Sequence, residues 1–294
     1  MPDMDVSYER FNAGVLDVAS VPQSRMVEAQ GEHSDTYVEG WNARYEYLGI
    51  PMHDDRFASP ALRRAISMAI DREAIAQTIL PDAEPADAFL PPGIAGYREG
   101  ACGSFCMYDP QRARQALDTA GGFEGTLTLW FNSGGGHEEW MEPIAEQLRD
   151  NLDLDVELKS VEFADYLQRL AGGEVTGPYR LGWIADRASA QNYLQPLLYS
   201  TATSNYTGWS QQQFDSQIDE GNAARSVAAG LDSYAQAEDI AIGDMPLIPL
   251  FFHRNAVVHS EQVSNVQLNH AGLVNWADVT VDDPASVLSV YFAE

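Results

Sequence analysis

A strand, a helix and a second strand follow one another between residues 126 and 161, and this order constrains the fold more than any other feature. The strands are Thr126 to Phe131 and Leu154 to Val161. Between them, Glu138 to Asn151 carries apolar residues at the three- and four-residue spacing of an amphipathic helix: Met141, Ile144 and Leu148. Two strands joined by a helical crossover run parallel, with a right-handed connection. The sequence therefore predicts an α/β fold.

The stretch from residue 179 to residue 200 supplies the next strand and a loop. If it begins as extended backbone, Arg180 and Gly182 lie on one face of the strand and Trp183 on the other. Asp186 then falls just beyond the carboxyl end of the strand, where ligands collect in open α/β sheets. The alternative interpretation is a core strand followed by an ordinary turn that contains an acidic residue.

Aromatic residues are dense in and after this stretch. A pocket wall and ordinary core packing both account for such a set, so the sequence leaves the two open. The residues are Tyr179, Trp183, Tyr193, Tyr199, Tyr206 and Trp209.

The segments at either end of the sequence look incomplete by themselves. The small elements before residue 48 cannot close a core of their own, so we expect a missing partner layer.

Pro246 and Pro249 predict that Leu247 to Phe252 is an edge strand, because proline cannot donate to a ladder. Ala256 to His259 is expected to form a separate extended run, and Val287 to Phe292 a last strand.

The charge balance excludes several partners. The chain has 294 residues, with 44 acids against 17 lysines and arginines and a formal charge of −27. Such a chain does not bind nucleic acid phosphates or an anionic membrane surface, and its self-repulsion favours a monomer. It has no apolar run of about 18 residues. Its start lacks the basic and apolar regions of a secretory signal, so no signal segment is predicted within it.

No motif for a metal or a phosphate is complete. The glycine-rich turn Ser133 to His137 lacks the ending of a phosphate loop and the spacing of a dinucleotide fingerprint, so it is interpreted as a plain turn. No second histidine follows His137 at the metalloprotease spacing. His253, His259 and His270 have no matching acid or cysteine cluster. We expect no cofactor and no metal.

The two cysteines, Cys102 and Cys106, are four positions apart in a glycine-rich loop. A disulfide would indicate an oxidising compartment, and an inert reduced pair is the alternative.

A series of motifs occurs in a recognisable order. The series is Tyr45 to Ile50 (YEYLGI), Pro60 to Ile75 (PALRRAISMAIDREAI), Leu90 to Gly93 (LPPG), Tyr108 to Pro110 (YDP), Gly182 and Trp183 with Asp186, Asn205 with Trp209, and Met245 to Leu250 (MPLIPL). It resembles the dipeptide and oligopeptide group of ABC importer solute-binding proteins, from about residue 11 to residue 280.

The resemblance implies a type II periplasmic-binding-protein-like fold, a two-lobed clamshell outside the cytoplasm. Residues 1–47 would be a remnant of lobe one with the hinge, residues 48–258 lobe two, and residues 259–294 a return to lobe one. The hinge is expected near Tyr47 to Pro51 and near His259 to Val263. By this comparison the chain is a truncated fragment without most of lobe one, and the full-length protein is expected to carry a lipid anchor.

The resemblance also implies ligand-binding roles. Asp186 matches the acid that pairs with the peptide's α-ammonium in oligopeptide-binding members, and Arg180 matches an arginine that some members aim at the carboxylate. Trp183 matches a pocket-lining aromatic. A buried ammonium needs a carboxylate partner, because an unpaired ion in a closed cleft is very costly. The predicted ligand-binding set is completed by Tyr193, Asn205 and Trp209.

The function implied is a non-enzymatic component that binds peptide and delivers it to an ABC permease. Nickel, haem or an oligosaccharide are the rival ligands within the same family. A secreted acidic hydrolase is the rival from another class, because in so acidic a chain many carboxylate pairs have the separation that glycoside hydrolysis needs.

Overall fold

The computed structural model describes residues 3–281, which form a seven-stranded mixed sheet with helices packed against it and a separate two-stranded sheet of the last two strands. The strands are β1 (Val18–Ser20), β2 (Tyr37–Gly49), β3 (Ala83–Pro85), β4 (Leu127–Asn132), β5 (Val156–Val161), β6 (Tyr179–Ile184), β7 (Leu247–His259), β8 (Val263–Ser264) and β9 (Thr280–Val281). The helices are α1 (Met4–Asn12), α2 (Met26–Glu32), α3 (Pro60–Met68), α4 (Arg72–Ile79), α5 (Pro110–Ala120), α6 (Glu138–Leu152), α7 (Phe163–Ala171), α8 (Gln191–Leu198), α9 (Gln212–Ala223) and α10 (Val227–Asp244).

The main sheet has the strand order β1-β7-β2-β6-β4-β5, with β3 paired to β7 beside this path. Strands β4 and β5 are parallel, with Leu127 opposite Val156, and helix α6 connects them. Strand β6 is parallel to β4 on its other side. The predicted α/β class and the predicted parallel pair are therefore confirmed.

Two 13-residue strands, β2 and β7, run antiparallel through the centre of the sheet. The prediction of an edge strand at Leu247 to Phe252 is correct for Leu247 to Pro249, which pairs with β2 on one side only. From Phe251 onward β3 and then β1 pair with the other side of β7, so the rest of the strand is interior. The ladder with β2 shifts register between Glu46 and Tyr47, and Pro249 stands opposite Tyr47 at this irregularity. A strand tolerates proline at a bulge, where a ladder bond is already missing. The predicted run at Ala256 to His259 is the end of this same strand.

The helices begin where the sequence offers capping groups. Asp71 accepts a hydrogen bond from the amide of Ala74 at the start of α4, and Asp109 accepts one from Arg112 at the start of α5. Such caps satisfy amides that have no partner inside the helix. The guanidinium of Arg72 is fully buried, and it donates to the carbonyls of Ser67 and Pro249. Helices α3 and α4 are thereby fixed against the central strand β7.

Most buried side chains belong to one large core around β2, β4, β6 and β7. Two small cores lie at the amino end of β2 and the carboxyl end of β7. One joins Tyr8 and Met26 to Val258, and the other joins Val18 to Val257 and Val266. The first elements of the chain therefore pack onto the outer halves of the two long strands, and the division at residues 47 and 258 stays a prediction.

The loop before α5 is closed by a disulfide between Cys102 and Cys106. Among residues 3–281, no helix has both the length and the apolar character needed to cross a bilayer. The predicted strand at Val287 to Phe292 lies outside the described residues.

Candidate ligand-binding site

A cavity of about 290 Å³ opens at the carboxyl edge of β4, next to β2 and β7. Its wall comes from the turn before α2, from β2, from the end of α4, from the turn between β4 and α6, and from β7. The polar and charged residues that line it are Gln23, Ser24, Arg44, Glu46, Asp82, His137, Glu139 and His253. A larger, more open groove between α9 and α10 is lined mainly by glutamines, and its one acid, Asp239, is paired with Arg98. The charged cavity is therefore the better candidate for a specific site.

A buried carboxylate between two guanidinium groups forms the floor of the cavity. Glu46 Oε1 accepts hydrogen bonds from Arg180 Nη2 at 2.6 Å and from Arg44 Nε at 2.8 Å. Asn132 Oδ1, at the end of β4, accepts from Arg180 Nη1 at 3.0 Å. Burial raises the pKa of Glu46, but Arg180, Arg44 and His253 outweigh it and hold the pKa below its ordinary value. The carboxylate is therefore ionised at neutral pH.

The glycine of β6 makes room for this carboxylate. A Cβ placed on Gly182 would lie 2.9 Å from Glu46 Oε1. Arg180 and Gly182 thus both contact Glu46 on one face of β6, as the sequence predicts from the alternation of a strand.

A second buried cluster joins β7 to the segment after α4. His253 Nδ1 lies 2.7 Å from Asp82 Oδ2, and the side-chain amide of Gln23 donates to the same oxygen. The backbone amide of Arg254 also donates to the carbonyl of Asp82. These contacts fix the Asp82 side chain at the cavity wall. They also bring the turn before α2 next to Asp82.

The imidazole of His137 closes the side of the cavity next to α6. It packs edge-on against Trp140, with 5.7 Å between ring centroids. Burial, together with the positive charges of Arg180 and Arg44, lowers the pKa of His137 to about 4. The ring is therefore neutral at neutral pH and offers a hydrogen bond without a charge.

Several buried polar atoms at this site have no hydrogen-bond partner within residues 3–281. They are Glu46 Oε2, Asp82 Oδ1, Arg180 Nε and His253 Nε2. A buried polar atom without a partner is destabilising, so such atoms indicate a place where a ligand or solvent completes the hydrogen bonds. The arrangement suits charge-assisted binding of a ligand that carries both donors and acceptors.

Comparison with known proteins identifies the family of the chain. The family model described as bacterial extracellular solute-binding proteins, family 5 middle, matches residues 1–205. The chain belongs to this family. It is 25% identical over 290 residues to the dipeptide-binding protein DppE of Bacillus subtilis, covering 94% of this chain and 52% of that protein. It is also 25% identical over 268 residues to the heme-binding protein A of Haemophilus influenzae, covering 85% and 47%.

The fold of this solute-binding protein agrees with solved structures. The unliganded open form of the periplasmic murein tripeptide binding protein MppA superimposes with a TM-score of 0.86 at 21% identity, covering 96% of this chain and 56% of that one. The type II periplasmic-binding-protein fold predicted from the sequence is thereby confirmed. The chain spans about half the length of the curated relatives it matches.

Four predicted site residues gather around β6. Arg180 pairs with Glu46 behind the cavity floor, and none of the six predicted site residues lines the cavity itself. Trp183 donates from Nε1 to the carbonyl of Asn192 at 2.7 Å, and the exposed Asp186 donates from its backbone amide to Asn192 Oδ1 at 2.8 Å. The buried Tyr193 donates from its hydroxyl to the carbonyl of Ala43 at 2.6 Å. The structure thus places Trp183 and Asp186 on one small network at the carboxyl end of β6.

The other two predicted residues lie further along the chain and do not line the cavity. Asn205 donates to the carbonyls of Leu198, Tyr199 and Trp209. Trp209 is buried and donates from Nε1 to Asp244 Oδ2 at 3.0 Å. These hydrogen bonds hold the loop between α8 and α9, and a direct ligand contact for either residue stays a prediction.

None of the residues that line the cavity was predicted from the sequence to bind a ligand, and the buried ones among them include Glu46, Asp82 and His253. Glu46 and His253 each interrupt a run of buried apolar and aromatic residues in a central strand. A lone charged or titratable residue inside such a run must have a buried partner, and that signal was available in the sequence.

Proposed function

We propose that this chain is part of the peptide-binding component of an ABC importer, which binds peptide in a cleft between two lobes and delivers it to the permease. The charged cavity would form part of that cleft. The observation that carries the proposal is the set of buried atoms without partners. Arg180 Nε is a donor, whereas Glu46 Oε2 and Asp82 Oδ1 are acceptors. A peptide with free termini carries an ammonium, a carboxylate and amides, and so it offers both kinds of partner.

In this proposal Asp186 binds the peptide's α-ammonium and Arg180 its carboxylate, while Trp183 forms part of the wall. Asp186 is exposed and follows directly on β6, so a ligand at the carboxyl edge of the sheet can reach it. Arg180 is already oriented by Glu46 and Asn132, which lowers the cost of aligning its guanidinium with a carboxylate. We assign Tyr193, Asn205 and Trp209 to the residues that surround this site.

We infer that binding closes two lobes about the central strands. Residues 1–47 and 259–294 would belong to lobe one and residues 48–258 to lobe two. Gln23 and Ser24 line the cavity from the first segment, opposite His137 of the second. The ladder between β2 and β7 shifts register between Glu46 and Tyr47, beside the expected hinge at Tyr47 to Pro51. Closure of a hinged pair around a ligand is the usual motion of such proteins.

Haem and nickel are the rival ligands that can be tested most simply. One relative is named as a heme-binding protein. Within residues 3–281, no group of three or more His, Cys, Asp or Glu side chains is placed to hold a metal ion. Peptide therefore fits the described cavity better than a metal ion does.

A ligand panel tests the function. The full-length protein is titrated by calorimetry with a mixture of di- to pentapeptides, with haemin, with a nickel salt and with an oligosaccharide. The proposal predicts heat that saturates with peptides only. Saturable binding of haemin, nickel or sugar without binding of any peptide would replace it.

A further inference from the structure

Three polar atoms of the cavity residues are buried and unused, and two of them are carboxylate oxygens. They are Glu46 Oε2, Asp82 Oδ1 and His253 Nε2, and none has a partner within residues 3–281. The three residues are 1%, 2% and 3% exposed, respectively, and all of them line the cavity. They come from β2, from the segment after α4 and from β7, so the fold brings them together from separate parts of the chain.

The imidazole of His253 is paired with a neighbouring carboxylate. Nδ1 lies 2.7 Å from Asp82 Oδ2, and a carboxylate accepts a hydrogen bond. Nδ1 therefore donates to Asp82 and fixes its side chain, and Nε2 is the ring atom that remains without a partner within residues 3–281. Gln23 also donates to Asp82 Oδ2, so Oδ1 is the oxygen that remains for a ligand.

The neighbouring charges also favour a cation. The wall carries the carboxylates of Glu46, Asp82 and Glu139 and the guanidinium of Arg44, with Arg180 behind Glu46. The three carboxylates therefore outnumber the two guanidinium groups by one. Both arginines donate to Glu46 Oε1, which leaves Oε2 without a donor.

We propose that Glu46, Asp82 and His253 form a subsite for a cationic side chain of the bound ligand, a guanidinium or an alkylammonium. This assignment rests on the proposed peptide-binding function. A guanidinium has five N–H donors and an ammonium three, and these suit the two free carboxylate oxygens, which can only repel an anion. A cavity of about 290 Å³ holds a long side chain but not a whole oligopeptide. The subsite is distinct from the role of Asp186, which concerns the α-ammonium.

The test compares arginine with citrulline, its uncharged near-isostere. Tripeptides carry arginine at one position in turn, with alanine elsewhere, and each has a citrulline twin. Calorimetry on the full-length protein is expected to show one position at which arginine binds about tenfold or more tightly than citrulline. Asp82→Asn and, separately, His253→Gln are expected to bring that ratio close to one. Glu138→Gln, an exposed acid of α6 that does not line the cavity, should leave it unchanged.

The outcomes separate the subsite from the function. Peptides that bind with no preference for arginine over citrulline at any position would overturn the subsite and leave the proposed function standing. Failure of every peptide to bind would overturn both. If Asp82→Asn erases the difference between free and N-acetylated peptide instead, the α-ammonium occupies the subsite and the side-chain assignment is wrong. The comparison of arginine with citrulline in the unmodified protein decides the question even if a variant fails to fold.

Discussion

Glu46 Oε1 and Arg180 Nη2 are 2.6 Å apart, and both side chains are buried. The two residues are 134 positions apart in sequence, and the pairing of β2 with β6 brings them together. A buried ion pair is retained at a cost in desolvation, so it is weak evidence for stability alone. At this position it holds an ionised carboxylate at the floor of a cavity, which is a functional reason to retain it.

Replacing Glu46 with Gln is expected to destabilise the protein strongly. Arg180 and Arg44 would then face each other without a counter-charge, and breaking a buried pair costs about 3–5 kcal/mol. Urea unfolding followed by circular dichroism measures the change. Asp165→Asn, which removes the exposed partner of Arg169, is the matched control and should change little. Equal stability of the two variants would show that the buried pair is not needed.

Gly182→Ala is expected to disturb the same pair by steric overlap. The new methyl group would lie 2.9 Å from Glu46 Oε1, so the carboxylate or the strand must move. Overpacking of this kind costs about 1–3 kcal/mol. Gly243→Ala is the control, because a Cβ there meets no atom within 4 Å and alanine favours the helix. Unfolding curves should show loss of stability for the first variant only, and peptide affinity should fall with it.

Stability is expected to decrease as the pH falls from about 6.5 to about 4 because of His137, whose pKa is lowered to about 4 in the folded state. In this window the unfolded chain takes up a proton on this ring and the folded chain does not, so protonation favours unfolding. His137→Gln should flatten that part of the curve of unfolding free energy against pH. A curve of unchanged slope for the variant would contradict the burial of a neutral ring.

Protonation of Glu46 is expected to cause a second loss of stability at lower pH. Its folded pKa lies below the ordinary value, so its contribution is present above about pH 4.5 and is lost as the pH falls through the folded pKa. The Glu46→Gln variant should therefore lose less stability than the unmodified protein on acidification below that pH. Parallel acid unfolding curves for the two proteins would argue against an ionised carboxylate at this position.

Reducing the disulfide between Cys102 and Cys106 should lower stability modestly. A cross-link that closes so short a loop contributes about 2 kcal/mol by the chain-entropy relation. The double variant Cys102→Ser with Cys106→Ser should unfold at the same denaturant concentration as the reduced protein. A thiol assay of the native protein should detect no free thiol before reduction, and detection of two would contradict the pairing.

Much of the fold could be predicted from the sequence because its signals are local. Apolar periodicity and capping residues mark α3, α5 and α6, and alternation marks β4 and β6, so the parallel arrangement follows from short-range patterns. The length of β7 and the interior position of its second half could not be predicted, because β1 and β3, which pair with it there, come from distant parts of the sequence.

The cavity could be predicted only in part. Arg180 stood out because it lies in a predicted strand and matches an arginine that some members of the family aim at the ligand's carboxylate. Asp82 and His253 are 171 positions apart, and only the packing of α4 and β3 against β7 brings them within hydrogen-bonding distance. Local patterns carry no information on such a pair, so its residues were interpreted separately or overlooked.

The central claim is that the site recognises both charged ends of a peptide, with Asp186 for the ammonium and Arg180 for the carboxylate. The most direct test is calorimetry of one peptide in four forms with the full-length protein: free, N-acetylated, C-amidated and blocked at both ends. We predict that each single block weakens binding by about tenfold or more, and that Asp186→Asn abolishes the effect of acetylation alone. Equal affinity of the free and the doubly blocked peptide would contradict the account.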